Sequence, residues 1–305
     1  MDEGQRSAVL AASVSEKYDV DILYKDQIPQ TYKDYTAEPV YDSKNIADAI
    51  EIIDRTLALY PPGFFRAVKN GYCDSITFCL AGDLHLISDD SYMENADAFT
   101  TVQDGTIWLV LNIKKNIEAG LLIHELTHAV DYRLLEMQQL LESEWNRLNP
   151  PSFSYYNAYL DETGKGYRTS GSREYTSLYE EDENRIYFYD PYSRTFAMED
   201  RARLMEKLLE NFAFSTESAS QGQTADSPAP DRCFFSPHVQ AKLRFYFYTL
   251  RQAFETTLWP EKTSWETALQ KAQERRVQIR SRSSLTLRTV PSEILVTSSG
   301  EPAIE

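Results

Sequence analysis

A chain of 305 residues is long enough for one large domain or two small ones. Its 42% hydrophobic content can build a core, which excludes a disordered chain. With 47 acidic against 31 basic residues, the formal charge is −16, which argues against a phosphate-binding surface and so against a nucleic-acid partner.

Residues 1–42 are mixed in character and rich in Tyr, with a strand expected over Asp19–Tyr24. They are read either as a pro-region lying over a cleft or as part of the domain. Ala8–Val14 is apolar but too short to span a membrane, and Asp2 and Glu3 stand where a signal peptide carries positive charge. No membrane span is expected. Asp42–Tyr60 predicts a helix, because Ile46, Ile50, Ile53 and Leu57 recur at helical spacing. Asp42 or Ser43 would cap it, and Pro61–Gly63 would end it.

Three short β-branched or aromatic runs then predict strands: Ser75–Ala81, Leu84–Ile87 and Thr106–Ile113. A long helix is expected from Asn116 to about Trp145, closed by Asn149–Pro151. Ser152–Ser193 holds nine tyrosines, and Gly164, Gly166 and Gly171 break it into loops or a hairpin. Ala197–Phe212 predicts a second strong helix, with Met198, Ala202, Met205, Leu209 and Phe212 on one face. Ser215–Pro230 reads as a low-complexity loop. Helices over Pro237–Thr257 and Ser264–Arg276 complete the domain, and residues 277–305 read as a disordered tail. Arg275, Arg276, Arg280, Arg282 and Arg288 are read as a solvated helix end and tail. The expected organisation is a single α+β domain over residues 43–276, with a small mainly antiparallel or mixed sheet. No internal repeat is found.

Cys73, Cys79 and Cys233 form no C-x-x-C pair, and an odd count makes a poor disulfide framework. They read as buried thiols, with a Cys73–Cys79 bridge as the alternative.

The chemistry concentrates in the stretch "LLIHELTHAVDYRL", Leu121–Leu134. Residues four apart on a helix share a face, so His124 and His128 can offer imidazoles to one ion. Glu125 lies beside the first of them and can act as a general base. This is the H-E-x-x-H pattern of zinc hydrolases. With only four histidines in the chain, chance would produce it in about one such sequence in a few hundred. Zinc lowers the pKa of a coordinated water to about 7 and polarises a carbonyl under attack.

A catalytic zinc needs a third protein ligand and an open position. The H-E-x-x-H-x-x-G-x-x-H extension fails, because residue 131 is Asp and residue 134 is Leu. His85 and His238 are candidates by type only. Glu199, near the start of the second helix, can face the first helix, and the adjacent Asp200 is the alternative ligand. Asp131 can accept a hydrogen bond from a ligand imidazole.

The stretch "HELTHAVD" of His124–Asp131 resembles the active-site helix of lethal-factor-type and Pro-Pro-endopeptidase-type bacterial zinc proteases. The resemblance spans about Thr106 to Phe212. It implies a zincin-like fold of the gluzincin type, one catalytic Zn2+, and a third ligand in an E-x-x-A helix, matched by Glu199 and Ala202. It also implies an oxyanion-stabilising tyrosine seven residues before that glutamate, matched by Tyr192. The implied activity is endopeptidase cleavage of peptide or protein substrates, with a secreted or surface location; a cytoplasmic location is the alternative. An extended substrate would pair with the strand Thr106–Ile113 if that strand edges the sheet, with the tyrosine-rich segment as the opposite wall. The competing readings are a zinc-stabilised peptide-binding module without catalysis and a helical interaction protein with a chance motif.

Overall fold

The computed structural model describes residues 2–33, 35–86, 96–115, 117–140, 142–151, 153–155, 182–190, 192–214 and 230–288. Its first element is a helix, α1 (Glu3–Tyr18), within the segment expected to be mixed. Asp2 and Gln5 form a capping box at its start. Its buried stripe is Ser7, Ala11 and Val14, small residues that make a weak periodic signal. β1 (Asp21–Tyr24) follows as expected. Two further strands, β2 (Thr31–Tyr32) and β3 (Tyr35–Pro39), lie in the same N-terminal stretch.

Helix α2 (Ser43–Leu57) matches its expected place, with Asp42 accepting from the backbone N–H groups of Lys44 and Asn45. A short α3 (Phe64–Lys69) comes next. The two strands expected around residues 75–87 are one continuous strand, β4 (Ser75–Leu86). β5 (Ala98–Gln103), absent from the sequence reading, and β6 (Thr106–Asn112) form a hairpin.

The sheet is mixed, in the order β2-β3-β4-β6-β5. One edge of β4 serves two partners: β1 runs parallel to Thr77–Leu80, and β3 antiparallel to Ala81–Leu86. The other edge pairs parallel with β6 over Ser75–Ala81. β6 is therefore interior, which corrects the expectation that Thr106–Ile113 could edge the sheet. Among the described strands the edge belongs to β5, paired antiparallel to β6. Asn112 N–H bonds Asp97 C=O, so by alternation Ala98, Thr100 and Val102 turn their backbone polar groups away from β6.

Side chains alternate across the strands. Ile76, Phe78, Leu80, Ile107, Leu109 and Leu111 join the large core under the helices. Cys79, Ala81 and Val110 join a smaller cluster on the opposite face with Tyr32 and Phe99. Cys73 packs against the large core, so Cys73 and Cys79 lie in different clusters; all three thiols are free.

The motif helix, α4 (Ala119–Glu136), is shorter at both ends than expected. Gln138 adopts φ 55°, the Gln139 N–H bonds Leu134 C=O at 2.9 Å, and the Gln138 N–H bonds Leu135 C=O at 3.0 Å. That pattern is a Schellman stop, and it makes Glu142–Asn146 a separate helix, α5. α6 (Ala197–Phe212) packs along α4. At Gly120 of α4 the Glu210 side chain of α6 folds into the space a Cβ would take, 1.7 Å from its Oε1. α7 (Pro237–Ala253) is capped by Ser236, and α8 (Ser264–Arg288) runs past its expected end. The architecture is α+β, with eight α-helices among the described residues. No described helix is long and apolar enough to cross a membrane. The expected loop 215–230 lies almost wholly outside the described residues. So does most of the tyrosine-rich segment.

Candidate metal centre

α4 is buried on most of its surface, with the sheet on one side and α6 on the other. His124 and His128 point into a cleft that the first turn of α6 also lines. Glu199 belongs to that turn. His124 Nε2 lies 3.0 Å from Glu199 Oε2 and 3.1 Å from His128 Nε2, and His128 Nε2 lies 3.5 Å from Glu199 Oε2. Ligands of a tetrahedral zinc, each about 2.0–2.1 Å from the ion, stand about 3.3 Å from one another. The triad thus has the spacing that one such ion requires, and its two nitrogens and one oxygen are a suitable donor set.

Electrostatics fit as well. Burial alone would lower the His124 imidazolium, but hydrogen bonds to Glu199 and Glu206 outweigh it and raise its pKa to about 10. Glu206 resists its own burial and is held down at about 2 by His124 and Arg203, and Glu199 lies well below the usual carboxylate range by the same kind of balance. Two carboxylates thus stay charged around a buried imidazole, holding a proton where a cation could sit. Among the described residues, the buried Nδ1 of His128 has no hydrogen-bond partner.

Glu206 was not foreseen. Its Oε2 accepts from Nδ1 of His124 at 3.0 Å, which leaves Nε2 to face an ion. A signal existed: Glu206 is two helical turns beyond Glu199, on the same face. Asp131, expected in this role, is turned away. Its carboxylate accepts from Arg201 Nε at 2.6 Å and Tyr246 Oη at 2.8 Å, fully buried. Asp200 also points away from the triad. It is buried against Lys242 Nζ at 2.7 Å, Tyr155 Oη at 2.6 Å and Trp145 Nε1 at 3.2 Å. One residue apart on a helix means about 100° of rotation, so Glu199 and Asp200 cannot both face α4.

Glu125 is buried beside the triad, and its Oε2 accepts a 2.6 Å hydrogen bond from the Thr100 hydroxyl of β5. Tyr192 begins a 3-10 turn (Tyr192–Arg194), with its ring centroid 6.1 Å from that of His124. A cleft of about 730 Å³ joins these groups. Thr100, Tyr132, Glu142, Phe153, Tyr155 and Met198 are among its walls, so the sheet, α4, α5 and α6 all contribute. Phe153, Tyr155 and Tyr192 of this lining belong to the tyrosine-rich segment expected to form a wall. His85 is exposed on β4, and His238 stacks on Tyr187 and bonds Asn184 C=O; neither joins the triad.

Comparison of the chain with protein-family models, curated proteins and solved structures finds no match in any of the three.

Proposed function

We propose that this protein is a zinc-dependent endopeptidase with a gluzincin-type ligand set. The observation that carries the reading is the convergence of His124, His128 and Glu199, from two helices, in the same cleft as the buried carboxylate of Glu125. Two histidines and one glutamate leave a fourth position open, as catalytic rather than structural zinc requires. A bound zinc would acidify water and polarise the scissile carbonyl. Glu125 would take a proton from the attacking water as the C–O bond forms, then deliver it to the amine nitrogen as the tetrahedral intermediate collapses and the peptide C–N bond breaks. Tyr192 would donate to the developing oxyanion. The outward backbone groups of β5 would hold an extended peptide as an added strand along the cleft. Export from the cell belongs to the same proposal.

The test is elemental analysis of the wild type, Glu199→Ala and Glu125→Gln, each offered zinc, followed by a peptide-library digest. The expected result is one zinc per chain in wild type and Glu125→Gln, little in Glu199→Ala, and hydrolysis in wild type only. Full zinc in Glu199→Ala would remove the third ligand. Zinc-loaded wild type that cleaves nothing would leave a binding module.

A further inference from the structure

Glu206 does more than touch His124. Its carboxylate also accepts from Arg203 Nη1, at 2.8 and 2.9 Å to its two oxygens. The other edge of the same guanidinium, Nε and Nη2, grips Asp190 Oδ2 at 3.0 and 2.6 Å. Asp190 in turn builds the turn that carries Tyr192: its Oδ1 accepts from the backbone N–H and the hydroxyl of Ser193, both at 2.9 Å. The Arg203 guanidinium also lies 5.8 Å from the Tyr192 ring centroid. Glu206 and Arg203 are buried or half-buried, so these bonds form with limited competition from water. A planar guanidinium with two donating edges joins two carboxylates in a fixed geometry that a lysine cannot reproduce.

We propose that Glu206, Arg203 and Asp190 form a positioning relay that ties the ligand histidine His124 to the turn holding Tyr192, so that the metal end and the oxyanion end of the site are set as one unit. The relay rests on the zinc-peptidase reading for the role of Tyr192, while its His124 end depends only on metal binding. Glu206 and Arg203 act through other residues and are positioning residues.

The relay is tested at both ends on the full chain. At the metal end, zinc affinity is measured by competition with a chromophoric chelator for wild type, Glu206→Gln and Arg203→Met. Glu206→Gln is expected to weaken zinc binding about 10–100-fold, the usual effect of losing a carboxylate behind a ligand histidine. Arg203→Met is expected to weaken it by a smaller factor, since Lys207 still pairs with Glu206. At the other end, kinetics per bound zinc are read in a double-mutant cycle of Tyr192→Phe and Arg203→Met. Each single change is expected to lower kcat with KM little altered. The double variant should be no slower than the worse single variant, and Arg203→Lys should not rescue.

Unchanged zinc affinity in Glu206→Gln overturns the relay at its metal end. Multiplicative losses in the cycle, or full activity in Arg203→Lys, overturn it at the Tyr192 end. A loss of folded protein alone would reduce zinc per chain without changing kcat per zinc, and that result also counts against the relay. If zinc-loaded wild type cleaves no peptide, the peptidase reading falls and takes the Tyr192 end with it, while the affinity arm still decides the His124–Glu206 end.

Discussion

The Thr100 hydroxyl donates a 2.6 Å hydrogen bond to Oε2 of Glu125. An edge strand thereby holds the carboxylate of a neighbouring helix beside the two histidines. A hydrogen bond to a charged group contributes about 1.5–3 kcal/mol. Thr100→Val is therefore expected to lower kcat for peptide hydrolysis about 10–100-fold with zinc content unchanged, and Thr100→Ser to recover most of it. Steady-state kinetics and metal analysis on the same samples check this. Zinc loss in Thr100→Val would show that the hydroxyl serves the ligands instead.

Asp200 and Lys242 form a fully buried ion pair. Removing one partner strands the other charge, which costs about 3–5 kcal/mol. Lys242→Met should lose about that much stability in denaturant unfolding, and adding Asp200→Leu should recover part of it. Zinc should stay near one per chain in Asp200→Asn. A variant at Asp200 that loses zinc while remaining folded would return it to the list of ligands.

Metal removal should also be visible in stability. A ligand that binds only the folded state at about 100 times its Kd stabilises by about 2.7 kcal/mol. At about 2–4 °C per kcal/mol for a domain of this size, chelation should lower Tm by about 5–10 °C. His124→Ala should show no zinc-dependent shift. Equal shifts in both proteins would place the bound zinc elsewhere.

The N-terminus of α8 gives a pH prediction independent of the metal. Glu266 Oε2 accepts from Thr263 N–H at 2.7 Å and its hydroxyl at 2.9 Å, and Arg251 donates to both carboxylate oxygens. Burial raises the Glu266 pKa, but Arg251 and Thr263 outweigh it and the net direction is down from 4.5. A depressed carboxylate contributes stability that is full above its unfolded value and lost as pH falls through the folded one. Glu266→Gln should therefore cost about 1–2 kcal/mol at pH 7 and progressively less below about pH 4.5. Unfolding curves at pH 7 and pH 3.5 measure the gap. A gap of equal size at both would sink the assignment.

Elements with a strong apolar period were legible in the chain. α2 and α6 lie where Ile46, Ile50, Ile53 and Leu57, and Met205, Leu209 and Phe212, place them. α1 was not, because Ser7 and Ala11 in its buried stripe read as polar or neutral. β5 was not, because only Phe99 is buried in it and the rest is half-exposed. The length of α4 was overestimated, because Gln138 in a left-handed conformation carries no Gly or Asn signal.

At the site, the sequence by itself determined the part that depends on one helix. His124, Glu125 and His128 are brought to one place by a 3.6-residue period, which is local and needs no fold. It also favoured Glu199 over its neighbour Asp200, on ligand reach and the E-x-x-A spacing. Only the tertiary structure supplied where Asp200 goes instead, turned away from the triad onto the buried Lys242 and Tyr155. It likewise gave the edge to β5, paired Asp131 with Arg201, and placed Glu206 behind His124. Each of these joins groups far apart in the chain, and local spacing carries no information about which buried charges meet.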